Sequence, residues 1–402
     1  MRGMAGEKTL LKRLNRTAIL RLVWSEPSIS RSAVAERIGI TKSTVSQSVA
    51  ELEEAGWLSS GTSDNTSTPG RPSIPLHLER NNFVLIGAEI SLREINVVAV
   101  DAYGQIIVQQ KSQGDYRQVS SALTDLERNI RQILADPKLR HCAVLGVGVG
   151  VPGPVDTTQG LVLYAPNLGW KRIALHAMIL ERLPELPNLY VDNDANMAVF
   201  AEYMFGRYKQ SADLLYLYIE TGIGGGLILG HELYRGRRGF AGEIGHMTIL
   251  PNGTRCSCGN QGCAETLFSA WALCDSYKKE TGLEVNLLEL VGLLEQNDEA
   301  AKRIVARAGM YLGIFLGSLA NIFDPKLIII GGKFAQLGDA ILEPAEKEIH
   351  KRLFGDEFRS IALEPCAFGE NACALGAAGY VWNQLLQNAE ELPTLKNAPT
   401  PR

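Results

Sequence analysis

The sequence predicts an α/β protein in two parts, an N-terminal winged helix-turn-helix head and a larger body in which strands and helices alternate. Three observations carry this. Two short, cappable helical stretches near the N-terminus are joined through Gly39; after Asn82 the apolar pattern switches to alternating strands and helices; and a strand-rich start occurs twice, as in a duplicated α/β fold. At 402 residues the chain exceeds one ordinary core. The expected division is a head at 1–80, an N-terminal α/β lobe at 83–195, a C-terminal α/β lobe at 196–386 and a disordered tail at 387–402.

In the head, residues 15–58 read as three helices. Ala18, Ile19, Leu22 and Val23 follow helical apolar spacing, and Pro27 ends the first helix. Ser30 can cap a second helix over Arg31–Ile38, Gly39 ends it, and Thr41 can cap a third that runs through Glu54. Val45, Val49 and Leu52 of the third helix share one face, with Ser43 and Gln47 opposite, flanked by Thr44 and Ser46 and preceded by Lys42. Small hydroxyls, a Lys and a Gln suit a major groove, because Gln can pair bidentately with adenine while hydroxyls and Lys reach phosphates or base edges. The Ser/Thr/Gly-rich stretch after Leu58 and the following TPGRPSIPLHL read as a wing and its return strand. Gly70-Arg71-Pro72 either places Arg71 in a minor groove or acts as a rigid linker.

Charge agrees with this division. The first 80 residues carry 11 Lys and Arg against 8 Asp and Glu, leaving 29 against 36 for the remainder, within a net charge of −4. A globally basic nucleic-acid binder is excluded; a locally basic head on an acidic body is not. With 46% hydrophobic and 21% charged residues the composition is that of a soluble globular protein. Seven Cys, an odd number, suit a reducing cytoplasm better than a disulfide framework. The N-terminus is broken by charge and does not read as a signal peptide, and no run approaches the ~20 apolar residues of a membrane span. A cytoplasmic location is expected.

The body opens with FVLIGAEI, INVVAVDAYG and QIIVQQ, three successive strands, followed by a helix near 121–136 and the apolar strand AVLGVGVGVPGPV. YVDNDANMAVFAEYMFG starts as a strand and turns helical at Asp194; LLYLYIETGIGGGLILG is a strand, a glycine turn and a strand. A long helix over 301–323 precedes the buried strand LIIIGGK.

Residues 243–265, EIGHMTILPNGTRCSCGNQGCAE, carry the clearest chemistry. His246, Cys256, Cys258 and Cys263 form a ligand set suited to zinc, with three of the seven Cys inside eight residues. Four protein ligands would leave no position for water, so such an ion would be structural. Glu243 and Glu265 bracket the set.

VPGPVD, PNLGW, DNDAN, TGIGGG, AGEIGH, CSCGNQGCAE and DPKLIIIGG occur in this order over about 300 residues. The body resembles the ROK family (repressors, open reading frames and sugar kinases), a branch of the actin-like, ribonuclease-H-like sugar kinases. The helix-turn-helix followed by GRP resembles its repressor branch, which includes xylose and N-acetylglucosamine regulators. The resemblance implies a two-lobed fold and a sugar pocket lined by Asn193, Asp194, Glu243, His246 and Glu265, with Gly153 and Asn167 as further contacts. Carboxylates and amides can pair with vicinal hydroxyls, and a site built around an OH rejects analogues lacking it. His246 would bind zinc through one ring nitrogen and turn the other to the sugar or a carboxylate. Asn193 and Asp194 also suit helix capping, and the two roles are compatible.

In family kinases Asp194 would be the general base for phosphoryl transfer. The expectation here is a vestigial base. Family kinases carry an Asp-x-Gly-Gly-Thr phosphate loop where this chain has Glu89-Ile90-Ser91-Leu92-Arg93, and Glu220 precedes Thr221 of the second loop where kinases usually have Gly. A carboxylate beside a triphosphate is repulsive without a bridging metal, and phosphoryl transfer depends on positioning and charge stabilisation. The expected protein is therefore a sugar-responsive regulator, a repressor by resemblance. It would act as a homodimer or homotetramer on double-stranded DNA with a palindromic operator, bind a sugar or sugar phosphate, and contact no membrane. An active ATP-dependent sugar kinase with an attached head, or a regulator controlled by a protein partner, are the alternatives.

Overall fold

The structure is a computed structural model that describes residues 2–61, 74–220, 222–359, 361–387 and 392–395, with side chains from residue 10 onward. Arg71, the wing tip and Thr221 lie outside the described residues.

The head is three helices and a two-stranded wing: α1 (Arg2–Ser25), α2 (Arg31–Ile38), α3 (Lys42–Glu54), β1 (Leu58–Ser60) and β2 (Leu76–Leu78). Ser30 caps α2 by accepting from the Ala33 N–H, Gly39 ends it at φ 74°, and Thr41 caps α3 by accepting from the Thr44 N–H. The caps therefore fall at the residues whose chemistry called for them. Val45, Val49 and Leu52 are buried, and β1 and β2 pair antiparallel with Leu58 opposite Leu78.

The N-terminal lobe is a five-stranded sheet in the order β10-β6-β3-β4-β5. It is formed by β3 (Phe83–Ile90), β4 (Glu94–Val100), β5 (Ile106–Gln113), β6 (Ala143–Val151) and β10 (Leu189–Asn193), with α4 (Val119–Leu134) between β5 and β6. A smaller antiparallel sheet, β7 (Val155–Asp156), β8 (Leu161–Ala165) and β9 (Trp170–Ile173), leads to α5 (Leu175–Arg182). α6 (Asp194–Phe205) then passes between the lobes.

The C-terminal lobe repeats the plan, with the order β13-β12-β11-β14-β15. Its strands are β11 (Leu214–Ile219), β12 (Ile223–Leu229), β13 (Glu232–Leu233), β14 (Leu327–Gly331) and β15 (Ala362–Pro365). Its helices are α7 (Glu265–Phe268), α8 (Ala270–Thr281), α9 (Leu287–Glu295), α10 (Glu299–Phe323) and α11 (Asp339–Arg352). By length and hydropathy α10 could cross a membrane, but 61% of its apolar window is buried inside this protein, where it packs on α11 and the sheet.

The last helix, α12 (Ala372–Gln387), corrects the expected division at 196–386. It crosses back and lies on β3 and β6 of the first lobe and against α6. Glycine permits the approach: a Cβ at Gly87 would sit 1.8 Å from the Ala374 carbonyl oxygen, and one at Gly376 would sit 1.6 Å from that of Met197. The head is likewise no separate globule, because its core is continuous with that of α12, α6 and the sheet. Trp57 packs against Phe83 and Trp382 at ring centroids of 5.1 and 6.2 Å, and the Trp24 Nε1–H donates to the Ala102 carbonyl at 2.7 Å.

Residues 392–395, within the segment expected to be disordered, also differ from expectation. Trp57 Nε1–H donates to the Pro393 carbonyl at 2.9 Å, the Leu395 N–H to Ala55 at 2.8 Å, and Leu395 is buried. Its apolar side chain fills the seam between head and body, and two backbone groups gain partners there.

Candidate functional site

A cavity of about 300 Å³ lies between the two lobes. All seven residues expected at a sugar pocket line it: Gly153, Asn167, Asn193, Asp194, Glu243, His246 and Glu265. They arrive from separate places. Gly153 follows β6, Asn167 follows β8, Asn193 ends β10, Asp194 starts α6, and the last three belong to the 243–265 segment.

Asn193 and Asp194 combine two duties. The Asn193 Oδ1 caps α6 by accepting from the Asn196 N–H at 3.1 Å, while its Nδ2–H donates to the Gly153 carbonyl at 3.1 Å. Gly153 has φ 85°, and a Cβ there would lie 2.0 Å from the Tyr164 carbonyl oxygen, so no other residue allows this turn. Asp194 Oδ1 accepts from the Ala195 N–H at 2.8 Å. Burial, reinforced by Glu220, pushes its carboxyl up to about 6. Glu243 is pushed up to about 7, by burial first and then by Asp194 and Glu265.

The His246, Cys256, Cys258 and Cys263 side chains converge. Their donor atoms all lie within 4.8 Å of one another. Cys258 Sγ and Cys263 Sγ are 3.7 Å apart, and Cys256 Sγ is 3.6 Å from His246 Nδ1. A tetrahedral zinc with Zn–S of about 2.3 Å has S···S edges of about 3.8 Å, so the set fits such an ion. His246 Nε2, the other ring nitrogen, lies 4.0 Å from Glu243 Oε2 on the cavity side. Glu265 has a duty not expected from sequence: its Oε2 accepts from the Ile223 N–H at 3.3 Å, tying the cysteine segment to the turn between β11 and β12.

Glu89, Tyr218 and Glu220 also line the cavity. The Tyr218 O–H donates to Glu89 Oε1 at 2.7 Å across the two lobes. Glu89 is pushed up to about 8 by burial and by Glu220. Beyond it a small recess is lined by Glu89, Glu94, Glu220, Glu370 and Lys333. Glu89 and Glu220 were singled out from the sequence; the bond from Tyr218 to Glu89 across the cleft was not legible there, since the two residues are 129 apart.

On the head, Lys42, Ser43, Ser46 and Gln47 are exposed on α3 and Thr44 is half-buried. Glu51, one turn beyond Gln47, is held by Lys12 and Arg16 of α1. The N-terminal half of the helix thus presents short polar side chains and a Lys to solvent, while Glu51 and, through Arg31, Glu53 are paired further along.

This winged helix and two-lobed body, with a cleft cavity beside a His-Cys₃ cluster, define the chain's class. It belongs to the ROK family, whose model matches residues 85–384, and residues 13–59 match the winged helix-turn-helix DNA-binding model. It is 32% identical to a putative xylose repressor of Caldicellulosiruptor sp. over 95% of this chain and 98% of that one. It is 26% identical to the DNA-binding transcriptional dual regulator NagC of Escherichia coli over 85% of both chains. Among solved structures it is similar to a ROK family glucokinase from Streptomyces griseus in complex with glucose and AMPPNP, at 29% identity and TM-score 0.67, covering 75% of this chain and 99% of that one. The glucokinase thus matches the body, whereas the xylose repressor matches head and body together.

Proposed function

We propose that the chain is a sugar-responsive DNA-binding repressor of carbohydrate genes. The observation that carries this is a head that keeps the polar face of α3 exposed while its core joins that of a body whose cleft gathers all seven expected sugar contacts. Lys42, Ser43, Thr44, Ser46, Gln47 and Arg71 would contact DNA, and the two-fold heads of a homodimer or homotetramer would read half-sites about one helical turn apart. Asn167, Asn193, Asp194, Glu243, His246 and Glu265 would bind the hydroxyls of a sugar or sugar phosphate, with Gly153 fixing Asn193. Zinc held by His246, Cys256, Cys258 and Cys263 would aim His246 and Glu265 at that sugar. Its part is structural.

Sugar shifts the equilibrium only by its differential affinity for two arrangements of the lobes and heads. Phosphoryl transfer is not part of the reading. Asp194 remains where a base would stand, but the adjoining recess sets Glu94, Glu220 and Glu370 against Lys333, an acidic lining that opposes a triphosphate. The test is a gel shift on DNA selected from a random-sequence pool, with a panel of pentoses, hexoses, amino sugars and their phosphates. A change in DNA affinity with at least one is expected; no change with any sinks the reading and favours control by a protein partner. Release of ADP from ATP with a sugar, abolished by Asp194→Asn, would establish a kinase instead.

A further inference from the structure

Arg235 does not line the cavity, yet it joins the cavity loop of the second lobe to β10 and α12 of the first. It opens the loop 235–242, whose far end, Ala241 and Gly242, lines the cavity beside Phe240. The loop closes on itself, the Ala241 N–H donating to the Arg235 carbonyl at 3.2 Å. It also abuts the first lobe, since a Cβ at Gly239 would fall 2.3 Å from the Val155 carbonyl oxygen.

The Arg235 side chain leaves its own lobe. Its Nε–H donates to Asp192 Oδ2 at 2.7 Å, and Asp192, in β10, is only 2% exposed. The same carboxylate accepts from the Asn193 N–H and from Asn196 Nδ2–H, so it sets the junction of β10 and α6 that carries the cavity residues. The guanidinium carbon lies 5.2 Å from the ring centroid of Tyr380 in α12, and that ring packs edge-on against Tyr190 and Phe200. Nη2 is buried with no hydrogen-bond partner. Two residues further on, Trp382 stacks on Phe83 and on Trp57 of the head, and the Leu386 carbonyl accepts from Arg21 of α1. The Arg235 contact at Tyr380 is therefore only two residues along α12, about half a turn, from the Trp382 contact with the head.

We propose that Arg235 is the positioning residue that couples the cavity to the DNA-binding head. It ties the cavity loop of the second lobe to Asp192 and, through Tyr380, to α12. This rests on the sugar-responsive reading above. A sugar that moves the loop 235–242 must break or re-form the Arg235 contacts, because Asp192 and Tyr380 sit on the other lobe. The unpartnered Nη2 has a bond to gain in a second arrangement. The shift then passes along α12 to Trp57.

The test uses full-length protein with Arg235→Lys and, independently, Tyr380→Leu. Lys keeps the charge beside Asp192 but loses the fork that spans carboxylate and ring; Leu removes the ring and leaves the ion pair. Sugar affinity is measured by calorimetry with D-xylose, D-glucose and N-acetyl-D-glucosamine, and DNA affinity with and without each sugar on a duplex selected by the wild-type protein. Both variants are expected to hold sugar-free DNA affinity, and sugar affinity without DNA, within about threefold of wild type. The ratio of DNA affinities with and without sugar should fall to near one, as should the reciprocal effect of DNA on sugar affinity. A ratio equal to that of a responding wild type in both variants overturns the proposal. A loss of response fully accounted for by weaker sugar binding does so too, since Arg235 would then shape the cavity only. No response in the wild type itself overturns the underlying reading, and the coupling role with it.

Discussion

Replacing Cys258 with Ser removes one of four converging donors and exchanges a thiolate for a hydroxyl, a poor zinc ligand at neutral pH. Without the ion, backbone bonds from the Ile249 N–H to Gly262 and from the Ala264 N–H to Met247 still hold the segment 256–265 beside His246, and the 3.3 Å bond from the Ile223 N–H still holds Glu265, but the donor side chains are no longer drawn together. His246 Nε2 loses its fixed direction, because the Glu243 carboxylate at 4.0 Å is too far to hold by itself a ring whose Nδ1 faces Cys256. One hydrogen bond from a metal-polarised or charged group contributes about 1.5–3 kcal/mol. Losing that of His246 alone should weaken sugar binding roughly 10- to 150-fold. The exposed residues of α3 share no contact with this segment, so DNA affinity in the absence of sugar should stay within about twofold. The assay is metal content by mass spectrometry together with sugar calorimetry and DNA binding on the same preparation. A protein that loses zinc and still binds sugar with wild-type affinity would refute the clamp, as would one that keeps a full complement of zinc.

Gly376→Ala puts a Cβ 1.6 Å from the Met197 carbonyl oxygen and must push α6 from α12. Overpacking of about 1–3 kcal/mol or more is expected, seen in thermal melts as a lower Tm and in calorimetry as weaker sugar binding, because α6 begins at Asp194. Glu89 has its carboxyl raised to about 8 in the fold, against 4.5 for the free side chain. Between these values the unfolded chain is ionised while the fold holds the proton, so stability falls as pH rises, at up to about 1.4 kcal/mol per pH unit for one proton. Denaturant melts from pH 5 to 8 should therefore show a shallower pH dependence for Glu89→Gln than for wild type; equal slopes contradict the buried protonated state. Gln47→Ala should cost about 1–3 kcal/mol on selected DNA and relax preference at one base pair, whereas Lys42→Ala should weaken all sequences alike and lower the salt slope by about one. Competition binding at two salt concentrations separates the two.

Much of the site was legible because its signals are local. The three cysteines fall within eight residues and His246 only ten before them, so ligand chemistry could be inferred without knowing the fold. The caps at Ser30, Thr41 and Asn193 are likewise one-residue signals acting on the next turn. Glu89 was read as a departure from a phosphate loop, but its partner Tyr218 lies in the other lobe, and no periodicity reports a hydrogen bond between lobes. Arg235 gave no signal at all: one basic residue in a Gly-rich loop reads as solvated until Asp192 and Tyr380 are brought beside it.

The sequence by itself determined the order of elements, the winged-helix head, the ROK-type body and the donor set of the cysteine cluster, because each is written in spacing, capping chemistry or contiguous motif. Tertiary structure alone decided where the pieces meet. The return of α12 to the first lobe depends on glycines at 87 and 376 that give close approach only when two distant backbones are apposed. The seating of 392–395 on Trp57 depends on a seam that neither segment forms alone. Burial decides the rest: the raised carboxyls of Glu89, Asp194 and Glu243 come from water excluded by two lobes closing on one cleft. That exclusion is a property of packing, and it first exists when the lobes come together.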